Sequence, residues 1–218
     1  MIKKTIKGLC LLLLMLLVIQ INAQEEASPF RKGLWLTTLD GSISSASSTT
    51  NAIANQNSFN TAYGLNISSN KLFKARWAAG LRLNAIRSSA GGILERESES
   101  VFVGPSISHF FSPATTGSLF LEFSPGYVRF FEASSVRSGT TQLKESVDGN
   151  GFGTNLRFGY AHLVSDKILF NFGMNLTNFW IVADRKVEPG LNRSNENLSL
   201  SSVAFNFGFS LLLEKFFF

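Results

Sequence analysis

Hydrophobic and polar residues alternate along most of the chain, and the closing stretch, residues 198–218, shows the pattern most clearly. The apolar positions there are Val203, Phe205, Phe207, Phe209, Leu211 and Leu213, and the positions between them are Ala204, Asn206, Gly208 and Ser210. A period of two places the two sets on opposite faces of a β-strand. The stretch is therefore predicted to be an amphipathic strand with one apolar face and one face of small or amide side chains.

Seven further segments have strand character and are separated by turn-rich stretches. They cover residues 33–43, 58–68, 77–86, 100–111, 118–131, 153–163 and 168–182. Each has roughly the length of a tilted strand that crosses a bilayer, about 9–11 residues. The first segment has no single apolar parity, so the sequence leaves its facing open. Pro105 and Pro125 interrupt two of the others, because proline cannot donate to a strand ladder.

Long and short connections alternate between these segments. The long ones are 44–57, 87–99, 132–152 and 183–197, and the short ones are 69–74, 112–117 and 165–167. Transmembrane barrels have this arrangement, with short periplasmic turns and longer outer loops. A sheet in hydrocarbon must also close, because each unpaired backbone group costs several kcal/mol there. The predicted fold is all-β: a closed antiparallel eight-stranded transmembrane β-barrel with an up-and-down meander.

The N-terminus has the features of an export signal. Three lysines within the first seven residues precede an apolar run over residues 9–19, and Ala23 offers a small residue for cleavage. The run is shorter than the roughly 20 residues that a membrane helix needs. We therefore expect a cleaved signal peptide over residues 1–23 and one barrel domain over residues 24–218.

Loss of this signal changes the composition of the chain. Its only cysteine, Cys10, would be removed, which leaves no disulfide and no thiolate metal site. Three of the 20 Lys and Arg residues would also be lost, against 15 Asp and Glu, so the mature chain is almost neutral and nucleic-acid binding has little support. The 21 phenylalanines are many for a soluble domain and require an apolar environment.

Together with the signal, the eight strands and the loop pattern, the chain end points to a known group. Phe216 and Phe218 follow an amphipathic strand, and in this setting the chain resembles small eight-stranded outer-membrane barrels, the OmpA/OmpX-like group. That resemblance implies a bacterial outer-membrane location, contact with outer-membrane lipid, and recognition by the barrel-assembly machinery through the C-terminal strand. We also expect a monomer.

The inward face is predicted to carry a few charges among Gly, Ser, Asn and Thr. Arg82, Glu122 and Arg157 share the parity of these small residues. A buried charge without a partner is very costly. The sequence therefore predicts an interior network that joins Glu122 to Arg82, to Arg157 or to both.

Aromatic residues near the strand ends are expected to form two girdles, since such rings favour the headgroup level of a membrane. The expected periplasmic set is Trp77, Phe110, Phe111, Phe120, Phe170 and the final phenylalanines, residues 216–218. The expected outer set is Phe102, Phe130, Phe131, Phe152, Phe179 and Trp180.

The sequence has no clear motif for catalysis or metal binding. The two histidines, His109 and His162, lie near predicted periplasmic strand ends without the Ser and Asn pattern of lipid A deacylases. No cluster has metal-ligand spacing, and no cofactor is expected. The predicted function is a non-enzymatic, structural or surface-interaction role through the outer loops. The alternatives are a narrow pore or small-solute channel, a lipid acyl-chain enzyme of the outer membrane, and a soluble periplasmic barrel or sandwich that binds an apolar ligand and has its apolar faces turned inward.

Overall fold

Eight antiparallel strands form a closed barrel in the computed structural model, which describes residues 28–49, 57–91, 94–138, 141–188 and 192–215. The strands are β1 (Trp35–Thr49), β2 (Asn57–Lys74), β3 (Trp77–Gly91), β4 (Leu94–Phe110), β5 (Gly117–Ser138), β6 (Thr141–Ser165), β7 (Ile168–Glu188) and β8 (Asn192–Leu213). Each strand pairs with its sequence neighbours, and β8 pairs with β1. The predicted all-β meander is confirmed. Within these ranges, no helix is long and apolar enough to cross a membrane.

The register of the strands sets their tilt. Cross-strand partners can be followed around the barrel from Phe205 of β8 through β1 to β7. The path returns to β8 at Asn195, ten residues from its start. This offset is the shear of the barrel, and it corresponds to a strand tilt of about 40°. An eight-stranded barrel has an interior just wide enough for side chains to fill. The lumen is therefore a packed core.

The barrel is apolar outside and mainly polar in the middle of its lumen. Leu81 is 65% exposed on the outer face, whereas its neighbour Arg82 is 2% exposed inside. The same alternation holds on β8, where Phe207 faces outward and Asn206 is buried. The structure also resolves the facing of β1, with Leu39 outside and Asp40 inside. This distribution is the reverse of a soluble barrel and suits a protein whose outer wall contacts hydrocarbon.

Strand pairing extends well beyond the predicted segments, and the predicted long loops 87–99, 132–152 and 183–197 are wrong as loops. β3 and β4 enter the first of them, β5 and β6 fill most of the second, and β7 and β8 fill most of the third. Alternation reports which face meets lipid, whereas a ladder needs only a partner backbone, so pairing can continue where both faces are polar. One end of the barrel therefore carries long hairpins, here called the long-hairpin end. The other, the short-turn end, has connections 75–76, 111–116 and 166–167.

The ladder between β4 and β5 is interrupted in the middle of the wall. Pairing stops at Val103 with Tyr127 and resumes at Ile107 with Phe123. The register on both sides places the two strand prolines, Pro105 and Pro125, opposite each other. Because proline has no backbone N–H, neither residue can donate a hydrogen bond to the other strand. The Ser124 hydroxyl compensates from the lumen side by donating to the Pro105 carbonyl at 2.6 Å.

Close backbone approach at this interruption makes Gly104 sensitive to substitution. A Cβ at Gly104 would overlap the Pro125 carbonyl oxygen and lie 2.8 Å from the Gly126 Cα. These are backbone atoms, so the strands would have to shift. We expect Gly104→Ala to lower the free energy of unfolding by about 1–3 kcal/mol, measured by urea unfolding in detergent micelles. Gly41→Ala is the matched control, because the nearest atom to its Cβ is the Phe207 oxygen at 4.0 Å; equal losses in both variants would contradict the prediction.

Candidate functional site

Charged side chains from distant strands meet in the middle of the lumen. Arg82 of β3 forms an ion pair with Glu122 of β5, and both side chains are almost fully buried. The same guanidinium donates to the Asn66 side-chain oxygen at 2.9 Å. The Ser108 hydroxyl donates to the second oxygen of Glu122 at 3.1 Å. The structure thus brings together two of the three residues that were predicted to form the interior network.

The third selected residue, Arg157 of β6, has a different carboxylate as its ion-pair partner. Its guanidinium lies 2.6 Å from Asp40 of β1, and both side chains are buried. In the amide orientation that satisfies both of its groups, Asn206 accepts from Arg157 at 2.7 Å and donates to the Gly173 carbonyl at 3.0 Å. Asp40 was not among the predicted network residues, because the alternation of its strand does not show which face points inward.

The two ion pairs form one neutral layer, here called the ionic layer: Asp40, Arg82, Glu122 and Arg157. Glu122 and Arg157 are cross-strand partners on β5 and β6, which connects the two pairs. Each charge is compensated at short range, as burial requires. The layer ties β1, β3, β5 and β6 together across the lumen. Its geometry is that of paired charges that link strands across the lumen.

An apolar layer, here called the base layer, fills the lumen at the short-turn end. Its buried members are Phe30, Leu36, Leu72, Ala78, Phe110, Phe120, Ala161, Leu169 and Leu212. Phe30 comes from the segment before β1 and stacks on Phe110 with ring centroids 3.9 Å apart. The Arg76 backbone N–H donates to the Phe30 carbonyl at 2.8 Å, which fixes this segment under the barrel.

A second apolar layer, here called the upper layer, lies on the other side of the ionic layer. It consists of Phe102, Val128, Phe130, Val147, Phe179, Ile181 and Ala183, with Leu198 and Leu200 packed against it. Phe102 and Phe179 stack with centroids 6.0 Å apart. The ionic layer is thus enclosed between two apolar layers.

These layers correct the predicted aromatic girdles. Five of the residues assigned to the girdles are buried in the lumen: Phe110 and Phe120 in the base layer, and Phe102, Phe130 and Phe179 in the upper layer. The reason is parity, since each of them shares its face with inward Gly, Ser or Asn residues of the same strand. Trp77, Phe111, Phe131, Phe152 and Trp180 do lie exposed on the outer wall.

Above the upper layer, the long-hairpin end opens into a cleft of about 630 Å³ between β3 and β7. Ion pairs join several side chains of this end, among them Arg96 with Glu132 at 2.6 Å, and Arg185 between Glu145 and Glu196. Acidic and basic side chains are mixed along the cleft, which is lined by Glu95, Arg96, Glu97, Lys144, Glu145, Lys186, Glu188 and small residues of β3, β5 and β6.

Both histidines lie at the short-turn end among aromatic rings. His109 packs on Trp77 with centroids 4.3 Å apart and meets the edge of Phe111 at 4.8 Å. His162 stacks beside Tyr160. In the part of the chain that the structure describes, no group of three or more His, Cys, Asp or Glu residues could hold a metal ion. Phe216 and Phe218, the predicted assembly signal, lie outside the described residues.

Comparisons with known proteins bear on the fold. No protein-family model matches the sequence, and no curated protein matches it. Among solved structures, the chain is similar to the outer membrane protein OprG from Pseudomonas aeruginosa, with a TM-score of 0.54 and 10% identity over 85% of this chain and 99% of that one. A major outer membrane protein from Thermus thermophilus is similar at a TM-score of 0.54 and 10% identity, over 83% of this chain and 99% of that one. The chain therefore has the fold of small outer-membrane β-barrels.

Proposed function

We propose that this protein is an integral barrel of the bacterial outer membrane, with a structural or surface-interaction role and without enzymatic activity. The apolar outer wall and the fold support the membrane location. In this orientation the short-turn end faces the periplasm and the long-hairpin end faces outward. The C-terminal strand would be the element that the barrel-assembly machinery recognises, and the barrel would act as a monomer.

The observation that carries the proposal is the filling of the lumen. A hydrated ion on the barrel axis would meet the upper layer, then the ionic layer, then the base layer. Phe102, Val128, Leu72 and Leu169 in the two apolar layers have no exposed area. Transfer of a charge into such a layer is very unfavourable without a partner. The packing therefore favours a closed barrel over a pore.

The surface role rests on the shape of the long-hairpin end. The paired strands of β3 to β7 continue beyond the apolar band and line the charged cleft with the residues near their tips. Paired strands hold such side chains more firmly than open loops, because the backbone is fixed by the ladder. This end is the surface on which a partner outside the cell would bind.

A planar-bilayer experiment tests the proposal. Purified protein, shown to be folded by a gel mobility shift on boiling in detergent, is added to a bilayer that reports single channels of a general porin. We expect no steady open currents from this protein at any voltage that the bilayer tolerates. Reproducible unitary steps from folded protein would overturn the closed-barrel proposal and establish the pore.

A further inference from the structure

Basic side chains crowd one side of the short-turn end, beneath β8, β1, β2 and β3. This basic arc consists of Arg31, Lys32, Lys71, Lys74, Arg76 and Lys215. Glu214 is the acidic residue described within it. The connection on the opposite side of the barrel, residues 111–116, has no charged side chain. The remaining connection, residues 166–167, carries one acidic and one basic residue, Asp166 and Lys167. The excess of positive charge is therefore concentrated on one side of this end.

The backbone explains why these residues meet. The Gly33 N–H donates to the Leu72 carbonyl at 2.7 Å, which holds the segment with Arg31 and Lys32 beside the end of β2. Lys74 and Arg76 lie at the β2–β3 turn. Lys215 follows the end of β8, where Leu213 pairs with Trp35 of β1.

Most of these charges have no acidic partner. Within the described residues, no salt bridge joins Arg31, Lys32, Lys74 or Lys215 to a carboxylate, and all four side chains are exposed. At the long-hairpin end, Arg87, Arg96, Arg129 and Arg185 each contact a Glu or Asp, whereas Lys144 and Lys186 form no salt bridge within the described residues. The charges of that end are therefore more nearly balanced than those of the basic arc. Several like charges held together repel one another unless an anion lies among them.

Aromatic rings accompany the basic arc. The Lys71 ammonium lies 5.6 Å from the ring centroid of Trp35. Phe73 precedes Lys74 and Trp77 follows Arg76, and both rings are exposed on the outer wall. Aromatic side chains of this kind lie at the headgroup level of a membrane. The arc is therefore at the height where the apolar wall ends and lipid phosphates begin.

We propose that the basic arc is a binding site for anionic phospholipid, with the phosphate groups of the periplasmic leaflet on its Lys and Arg side chains and the acyl chains along the wall of β1 to β3. Each Lys or Arg near an anionic membrane surface raises the affinity for anionic lipid by up to about fivefold. Because the turn already holds these side chains together, less ordering is needed when the lipid binds. The inference needs the barrel to lie in a membrane but does not depend on whether its lumen conducts.

Fluorescence quenching in vesicles tests this site. The protein has three tryptophans, and a Trp180→Phe background leaves Trp35 and Trp77, which both lie at the basic arc. The folded protein is placed in phosphatidylcholine vesicles that contain either brominated phosphatidylglycerol or the same fraction of brominated phosphatidylcholine. We expect phosphatidylglycerol to be enriched several-fold around these tryptophans, and the enrichment to weaken at high salt.

Two double variants separate the site from general charge effects. Lys32→Gln with Lys74→Gln should remove most of the several-fold enrichment, because each base at the membrane surface adds to the attraction of anionic lipid. Lys144→Gln with Lys186→Gln removes two lysines of the long-hairpin end and should leave the phosphatidylglycerol enrichment unchanged. Equal quenching by the two brominated lipids, or enrichment that persists without Lys32 and Lys74, would overturn the proposal. Binding of purified peptidoglycan fragments without any lipid preference would also overturn it and assign the arc to the cell wall.

Discussion

Replacing Glu122 by alanine is expected to lower the free energy of unfolding by about 3–5 kcal/mol, the usual cost of breaking one side of a buried ion pair. The substitution leaves the Arg82 guanidinium buried without its counterion, and it removes the acceptor of the Ser108 hydroxyl. The positive charge of Arg157, the cross-strand neighbour, adds to the imbalance. Urea unfolding in detergent micelles measures the loss. The folded fraction at each urea concentration is read from the gel mobility of unboiled samples, with a boiled sample as the unfolded reference.

Two control variants make this prediction specific. Arg87→Ala breaks an exposed contact with Glu97 at 3.1 Å and should change the free energy of unfolding by less than about 1 kcal/mol. The double variant Arg82→Met with Glu122→Leu removes both charges and should recover much of the stability, because no uncompensated charge stays in the lumen. A loss in Glu122→Ala no larger than in Arg87→Ala would show that the ionic layer is not a brace.

The facing of the strands was largely readable from the sequence. Alternation at Leu81, Arg82 and Leu83 placed the arginine inside and the leucines outside, as the structure has them. The reason is that lipid and lumen impose opposite demands on successive residues of one strand. The expectation of a buried partner for Arg82 followed from the same parity and from the cost of a lone buried charge.

The facing of β1 could not be read because the lumen is not uniformly polar. Leu36 belongs to the base layer and shares the inward parity of Thr38 and Asp40. This strand therefore has apolar residues on both its inward and its outward face, and alternation of apolar and polar residues does not distinguish the two. The ion pair of Asp40 with Arg157 could therefore not be predicted, because the inward facing of Asp40 was not evident from the sequence.

The same layering accounts for the misplaced aromatic residues. The lumen is apolar on both sides of the ionic layer, so Phe102 and Phe120 follow strand parity but not the expected polarity. Enclosure between apolar layers keeps water away from the ionic layer, and a lower local dielectric strengthens its hydrogen bonds and ion pairs. The apolar and ionic layers thus support each other, and removal of an apolar residue should destabilise the whole core.

Truncation of Phe30 to alanine tests that coupling and is expected to cost about 3–5 kcal/mol, the range for a buried phenylalanine. Phe30 lies outside the strands, yet its ring is fully buried and stacks on Phe110 in the base layer. Loss of the ring would leave a cavity under the ionic layer and weaken the attachment of the segment before β1.

The matched control for Phe30→Ala is Phe73→Ala. Phe73 lies at the same end of the barrel but is 49% exposed on the outer wall. Its truncation removes the same atoms without opening a cavity in the lumen, so the loss should be clearly smaller. Both variants are compared by urea unfolding in the same micelles. If the two losses are equal, Phe30 does not close the lumen from below, and the ionic layer must be held by its strands alone.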